Sequence, residues 1–287
     1  MRTTACVFGF LSALLSCLPA PAQEEVGRGK KRHVELKWQT HEGKAYSFQY
    51  ESAIPLSTVK QIDAALDEAL SQYIAVFNFK PSEKLKVKFL DNENTFEQEG
   101  GDPTHPGHYA RPFLLVRQNP FYELIPIVYH EAFHQYLDFY MGKEVQIPTW
   151  FNEGMAMYYE GMQKNKATKK LDYKLIDNRK LRMIKDAVLT RTNLPLEKLF
   201  DASYQEFHDK EKESLHYTQS FSVIYFLMQG MGGKPVFTFA SELKKSKDVA
   251  AANEKLLGKD RKSLKSLEAK WKAFVEQAKI VEPKNNS

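Results

Sequence analysis

Thiols are nearly absent from this 287-residue chain: it has two cysteines, Cys6 and Cys17, and both fall within the first 22 residues. If that segment is removed, the mature protein can form no disulfide, has no Cys nucleophile and offers no Cys ligand to a metal. An excess of one charge is missing too. The 41 Lys and Arg side chains face 36 Asp and Glu, leaving a formal net charge of +5. That mixed surface lacks the one-sided basicity of a nucleic-acid binder. No fixed-period repeat or low-complexity block is present, and after Leu18 there is no second long apolar run. Apolar residues still make up 43% of the chain, enough to bury a core and to exclude a disordered protein.

The N-terminus reads as a targeting segment. Arg2 gives a basic start, Ala5 to Leu18 is apolar but short for a bilayer span, and Ala20-Pro21-Ala22 has the small-residue pattern of a cleavage site. Residues 1–22 are therefore expected to be a signal peptide, with the mature chain starting at Gln23 and acting in the periplasm or outside the cell. Leu14-Leu15-Ser16-Cys17 loosely resembles a lipobox, although Leu15 is bulky for its place, so lipid anchoring through Cys17 ranks lower.

Period separates two regions of the remainder. Val34–Trp38 and Tyr46–Tyr50 alternate apolar with polar residues around His41-Glu42-Gly43-Lys44, which predicts a hairpin. Val59, Ile62, Leu66, Leu70, Tyr73 and Phe77 form a helical stripe, with Ser57 as its expected N-cap and Pro81 beyond its end. Lys84–Leu90 and Phe113–Val116 read as strands, separated by a Gly- and Pro-rich loop that contains His105 and His108. From Tyr122 onward the spacing is mainly helical, with segments at Tyr122–Tyr140, Trp150–Met162, Leu171–Leu189, Ser214–Met228, Pro235–Lys244 and Lys262–Lys279. Lysine-rich Lys164–Lys170 reads as a solvated connection. The expectation is one α+β domain over 23–287, with an α/β lobe at 23–121 and a helical lobe at 122–287.

His130-Glu131-Ala132-Phe133-His134 carries the chemistry. Residues four apart share a helix face, so the two imidazoles can hold one ion. Glu131 lies about 100° around the helix, beside the ion without being bound to it, as suits a general base acting on water held there. After 18 intervening residues comes Glu153, in Trp150-Phe151-Asn152-Glu153-Gly154. Catalytic zinc takes three protein ligands and keeps a fourth position open, so His130, His134 and Glu153 complete such a set. Gly142 and Pro148 break the chain between the two helices and let the second fold back on the first. Gly154 is expected to let those two helices approach closely. The aromatics Phe133, Tyr136, Phe139, Tyr140, Phe151, Tyr158 and Tyr159, with Trp271 further on, read as packing residues.

This pattern resembles the gluzincin metallopeptidases. Trp150-x-x-Glu153-Gly154 is similar to the matching stretch of the membrane-alanyl-aminopeptidase branch, and the order of elements resembles small exported bacterial gluzincin-like domains. The resemblance covers about Tyr122 to Gly161. It implies a zincin-like fold with a sheet above the active-site helix, bound Zn2+, and hydrolysis of a peptide or protein substrate. His130, His134 and Glu153 would be the ligands and Glu131 the base. It also implies a donor for the developing oxyanion from a later helix, for which Tyr217 and, behind it, His216 are the candidates. An edge strand for an extended peptide is expected at Phe113–Arg117. Two features depart from the family. No Gly-x-Met-Glu-Asn segment occurs, which favours an endopeptidase over an aminopeptidase. Met157 stands where a thermolysin-like pattern has Asp, so the histidine N–H groups must find other partners, such as backbone carbonyls. The alternatives are a zincin-fold protein that binds peptide or cell-wall material with little turnover and, from another class, a nucleic-acid binder using Arg28–Arg32 and Lys164–Lys170.

Overall fold

Apolar periodicity places the scaffold in the computed structural model, which describes residues 34–164, 167, 171–173, 178–258 and 261–278. The expected signal peptide, both cysteines, the basic stretch Arg28–Arg32 and most of Lys164–Lys170 lie outside the described residues. In chain order the first lobe contains β1 (Trp38–Glu42), β2 (Tyr46–Glu51), α1 (Leu56–Phe77), β3 (Leu85–Leu90), α2 (Glu93–Gln98), β4 (Gly107–Ala110) and β5 (Phe113–Arg117). There follow α3 (Phe121–Met141), α4 (Thr149–Glu160), the short strands β6 (Met162–Lys164) and β7 (Leu171–Tyr173), and α5 (Asn178–Leu189). The chain continues through α6 (Leu196–Phe200), α7 (Tyr204–Phe207), α8 (Glu213–Tyr225), a π-helical turn at Phe226–Gly230, α9 (Lys234–Ser246), α10 (Val249–Leu257) and α11 (Arg261–Gln277). The expected order, a small sheet and then a helical region, is observed.

The five-stranded sheet runs β1-β2-β3-β5-β4, with parallel pairing of β2 to β3 and of β3 to β5 and antiparallel pairing at both margins. Helix α1 makes the crossover from β2 to β3 and buries the predicted stripe from Val59 to Phe77. Burying each large apolar side chain contributes roughly 1.5–3 kcal/mol. Tyr73, near the end of that stripe, packs edge-on against Phe133 of α3 and Tyr159 of α4 at ring separations of 5.4 and 4.5 Å. Fully buried Gln135 donates to the carbonyls of Lys86 and Pro112 at 2.9 and 3.0 Å, pinning the middle of α3 beneath β3 and β5. Of the aromatics predicted to pack, Phe139 is half-buried and the others are buried. Trp271 is fully buried and donates to Ser222 Oγ at 3.1 Å.

Several boundaries differ from the sequence reading. The first hairpin strand lies at Trp38–Glu42, because a tight turn in which Gly43 N–H donates to Tyr46 O sets the register against β2. Pro55 occupies the cap position of α1, and Ser57 falls inside the first turn. The expected helix Leu171–Leu189 opens instead as a strand, Leu171–Tyr173 pairing with Met162–Lys164, and its described helical part is Asn178–Leu189. The expected edge strand Phe113–Arg117 is an interior one, hydrogen-bonded to β3 on one side and β4 on the other. The free margin above α3 belongs to β4, in the segment expected to be loop. No helix among the described residues is long and apolar enough to cross a membrane.

Candidate metal centre

Helix α3 ends at Gly142, whose φ of +83° suits a residue without Cβ. Pro148 then starts α4 on a path that lays it along α3. The two helices bring His130, His134 and Glu153 together, with one donor atom from each lying within 4.8 Å of the others. Glu153 Oε2 is 3.5 Å from His130 Nε2 and 3.7 Å from His134 Nε2. Those separations are long for direct hydrogen bonds. They fit co-ligands: two donors at zinc's usual 2.0–2.1 Å in a tetrahedron lie about 3.4 Å apart. Two imidazole nitrogens and a carboxylate oxygen also suit zinc by ligand type.

The far sides of both rings are occupied. His134 Nδ1 lies 2.9 Å from Asn152 Oδ1, and His130 Nδ1 lies 3.3 Å from Glu160 Oε2. Lys180 of α5 meets the other Glu160 oxygen at 3.3 Å. With each Nδ1–H donated outward, both Nε2 lone pairs face the shared position. The orienting partners, which the sequence left unassigned, are thus side chains of α4. Glu160 stands seven residues after Glu153, two helical turns along one face, and Asn152 adjoins Glu153. That spacing was the available signal. In the metal-free protein, burial pushes the His130 pKa down, but the nearby carboxylates of Glu153, Glu160 and Glu131 outweigh it and hold the group up at about 10. Burial would raise Glu153, yet the charge of His134 and contact with His130 bring it to about 2. Glu160 is likewise held below the usual carboxylate range by His130 and Lys180, against the effect of its burial.

Glu131 is not among the three converging donors. Its Oε2 accepts the Tyr109 backbone N–H of β4 at 2.8 Å, which ties the carboxylate to the edge strand. Tyr217 is half-buried on α8. Burial first, and then the negative charges of Glu153, Glu213 and Glu131, raise its phenol pKa, so the group stays protonated and lies close enough to feel Glu153 and Glu131. His216 does not reach the centre. It is buried, its Nδ1–H donates to Phe207 O at 2.8 Å, and its ring stacks on Phe207. Sequence reading missed His208, whose Nδ1 is 3.0 Å from Glu213 Oε1 and whose charge helps to lower Glu153. Its Nε2 is buried without a hydrogen-bond partner among the described residues. His105 and His108 join no metal-holding group among the described residues; His108 is part of β4.

Gly154 faces α8, contrary to the expectation that it serves the contact of α4 with α3. A methyl group there would come 2.8 Å from both Ser220 O and Ile224 Cγ1. Glu153 is therefore backed by a close helix crossing of α4 on α8.

A family profile described as the Peptidase MA superfamily matches residues 127–277, more than half of the chain. Among solved structures, aminopeptidase A of Legionella pneumophila, in complex with aspartic acid, is similar at 16% identity and a TM-score of 0.41. That match covers 81% of this chain but only 27% of the other, so the chain spans about a quarter of its relative's length. No curated protein matches the sequence.

Proposed function

The chain belongs to the Peptidase MA superfamily, and from that premise we propose that it is a zinc peptidase of the endopeptidase kind, with Glu131 as general base. The observation that carries this reading is the convergence of His130, His134 and Glu153, with the Glu153 carboxylate at co-ligand separations from both imidazoles and the Glu131 charge near enough to act on His130. Zinc, when bound there, supplies a Lewis acid that acidifies water and polarises a carbonyl. Asn152 and Glu160 fix the rings so that the same nitrogen of each faces the ion. Glu131 accepts the proton of the attacking water and passes it to the leaving amine. Tyr217, kept protonated, donates to the oxygen on which negative charge develops, with His208 a second candidate on the same wall. The open edge of β4 receives the substrate as an added strand, a mode that reads backbone more than side chains. The missing Gly-x-Met-Glu-Asn segment favours internal cleavage over removal of N-terminal residues. Export through residues 1–22 belongs to the same proposal and rests on their charge, apolar run and small-residue pattern.

The test is metal analysis of the mature chain together with cleavage of a peptide mixture, some members N-acetylated, by wild type and Glu131→Gln. Internal cuts by the wild type, acetylated or not, with turnover about 10²–10⁴-fold lower in the variant at equal zinc content, are expected. Peptide binding that is equal in both forms, without cleavage by either, would instead establish the binding-protein reading.

A further inference from the structure

Strand β4 touches α3 at three levels. Gly107 lies flat on the helix, where an added methyl group would come 2.8 Å from Ile127 Cγ2 and 3.2 Å from Glu131 Cγ. The Tyr109 amide donates to Glu131 Oε2 at 2.8 Å. The phenol of that same tyrosine donates to Asp138 Oδ2 at 2.5 Å, and Arg111 Nε reaches the same oxygen at 3.1 Å. Glu131 and Asp138 are two turns apart, about 10.5 Å along one helix face. One residue therefore grips the helix at the expected base and again well beyond it.

These contacts matter because β4 has a strand neighbour on one side only, β5. An amide on the outer side of an edge strand would otherwise face solvent. Without its second grip the strand could slide or tilt against α3, and the Tyr109 amide would move with it. The phenol stays protonated, since burial and then Asp138 both raise its pKa.

We propose that Tyr109 is a positioning residue: its phenol, anchored on Asp138, sets the height of β4 over α3, and its amide thereby holds the Glu131 carboxylate in the orientation from which it works. This rests on the peptidase reading for its kinetic consequence but not for its geometry, so the two can fail separately. Displacing a reacting group by about 1 Å can cost on the order of 10²-fold in rate. The purely structural alternative would lower stability or zinc content along with activity.

The experiment compares zinc-loaded full-length wild type with Tyr109→Phe, Asp138→Asn and Asp138→Ala. Tyr109→Phe should lower kcat roughly ten- to hundredfold while KM, zinc affinity and Tm change little. Asp138→Asn keeps an oxygen for the phenol and should retain more activity than Asp138→Ala. The double variant Tyr109→Phe/Asp138→Ala should be no worse than the poorer single one. A second readout needs no turnover: the Tyr109 amide should exchange slowly with solvent in the wild type and faster in Tyr109→Phe and Glu131→Ala. The proposal is overturned if that amide exchanges at a free-edge rate in the wild type. It is equally overturned if Tyr109→Phe leaves kcat unchanged, or lowers it only with loss of zinc or of fold. An inactive wild type whose amide is nevertheless protected would sink the peptidase reading and leave the clamp standing.

Discussion

Metal uptake by this protein should expel a proton from His130. In the metal-free state the ring is held at about 10 by Glu153 and Glu160, despite a burial that works the other way. Near neutral pH most molecules then carry a protonated ring that cannot bind zinc. Glu153, at about 2, is ionised already and releases nothing. Binding between about pH 7 and 9 should therefore release close to one proton from His130. Apparent affinity should weaken about tenfold for each unit the pH is lowered, which is about 1.4 kcal/mol per unit. The sign follows from competition: protons and zinc seek the same lone pair, so acid favours the metal-free form. Calorimetric titration of chelator-buffered zinc in buffers of different ionisation heat counts the protons directly. Glu160→Gln removes one of the two carboxylates that hold this proton, and should move the steep region to lower pH. A binding heat independent of buffer, with affinity flat from pH 7 to 9, would refute the assignment of His130 as a ligand gripped by Glu153 and Glu160.

Three further outcomes are expected. Asn152→Ala deprives the His134 ring of its 2.9 Å partner and should weaken zinc binding about 10- to 100-fold with the fold intact, as measured by chelator competition. Gly154→Ala forces a methyl group to 2.8 Å from the Ser220 carbonyl, and should cost about 1–3 kcal/mol in urea unfolding of the zinc-free protein. An unchanged midpoint would mean that α4 and α8 can part freely. Tyr217→Phe should lower kcat on the order of 10²-fold with little change in KM if the phenol meets the developing oxyanion, and should leave kcat alone if it only packs.

The convergence of His130, His134 and Glu153 was legible because its spacing is local helix geometry: His130 and His134 are one turn apart, and Glu153 opens the next helix. Gly154 shows where local reasoning ends. A glycine beside a ligand signals close approach, but the partner is α8, some 60 residues later in the chain, and no spacing names it. Strand β4 was hidden for another reason. Gly107-His108-Tyr109-Ala110 lacks alternating apolar residues and sits among prolines, so it read as loop and the edge was given to β5. Strand β1 slipped because, from Trp38 to Glu42, only His41 is partly covered, and no buried face fixes its register. His216 drew notice by its place beside Tyr217, and His208 was missed. Which of them faces the carboxylates depends on the short turn of α7, whose capping box of Ser203 and Glu206 aims the chain.

Asn152, Glu153 and Glu160 all ride on α4, while both imidazoles ride on α3. An ion seated among them is a rivet through two rods, and neither rod alone has enough donors to retain it. Chelation should accordingly loosen the seam between these helices as well as abolish the proposed hydrolysis. Limited proteolysis near residues 142–148, the link joining the rods, would then report metal occupancy without any substrate.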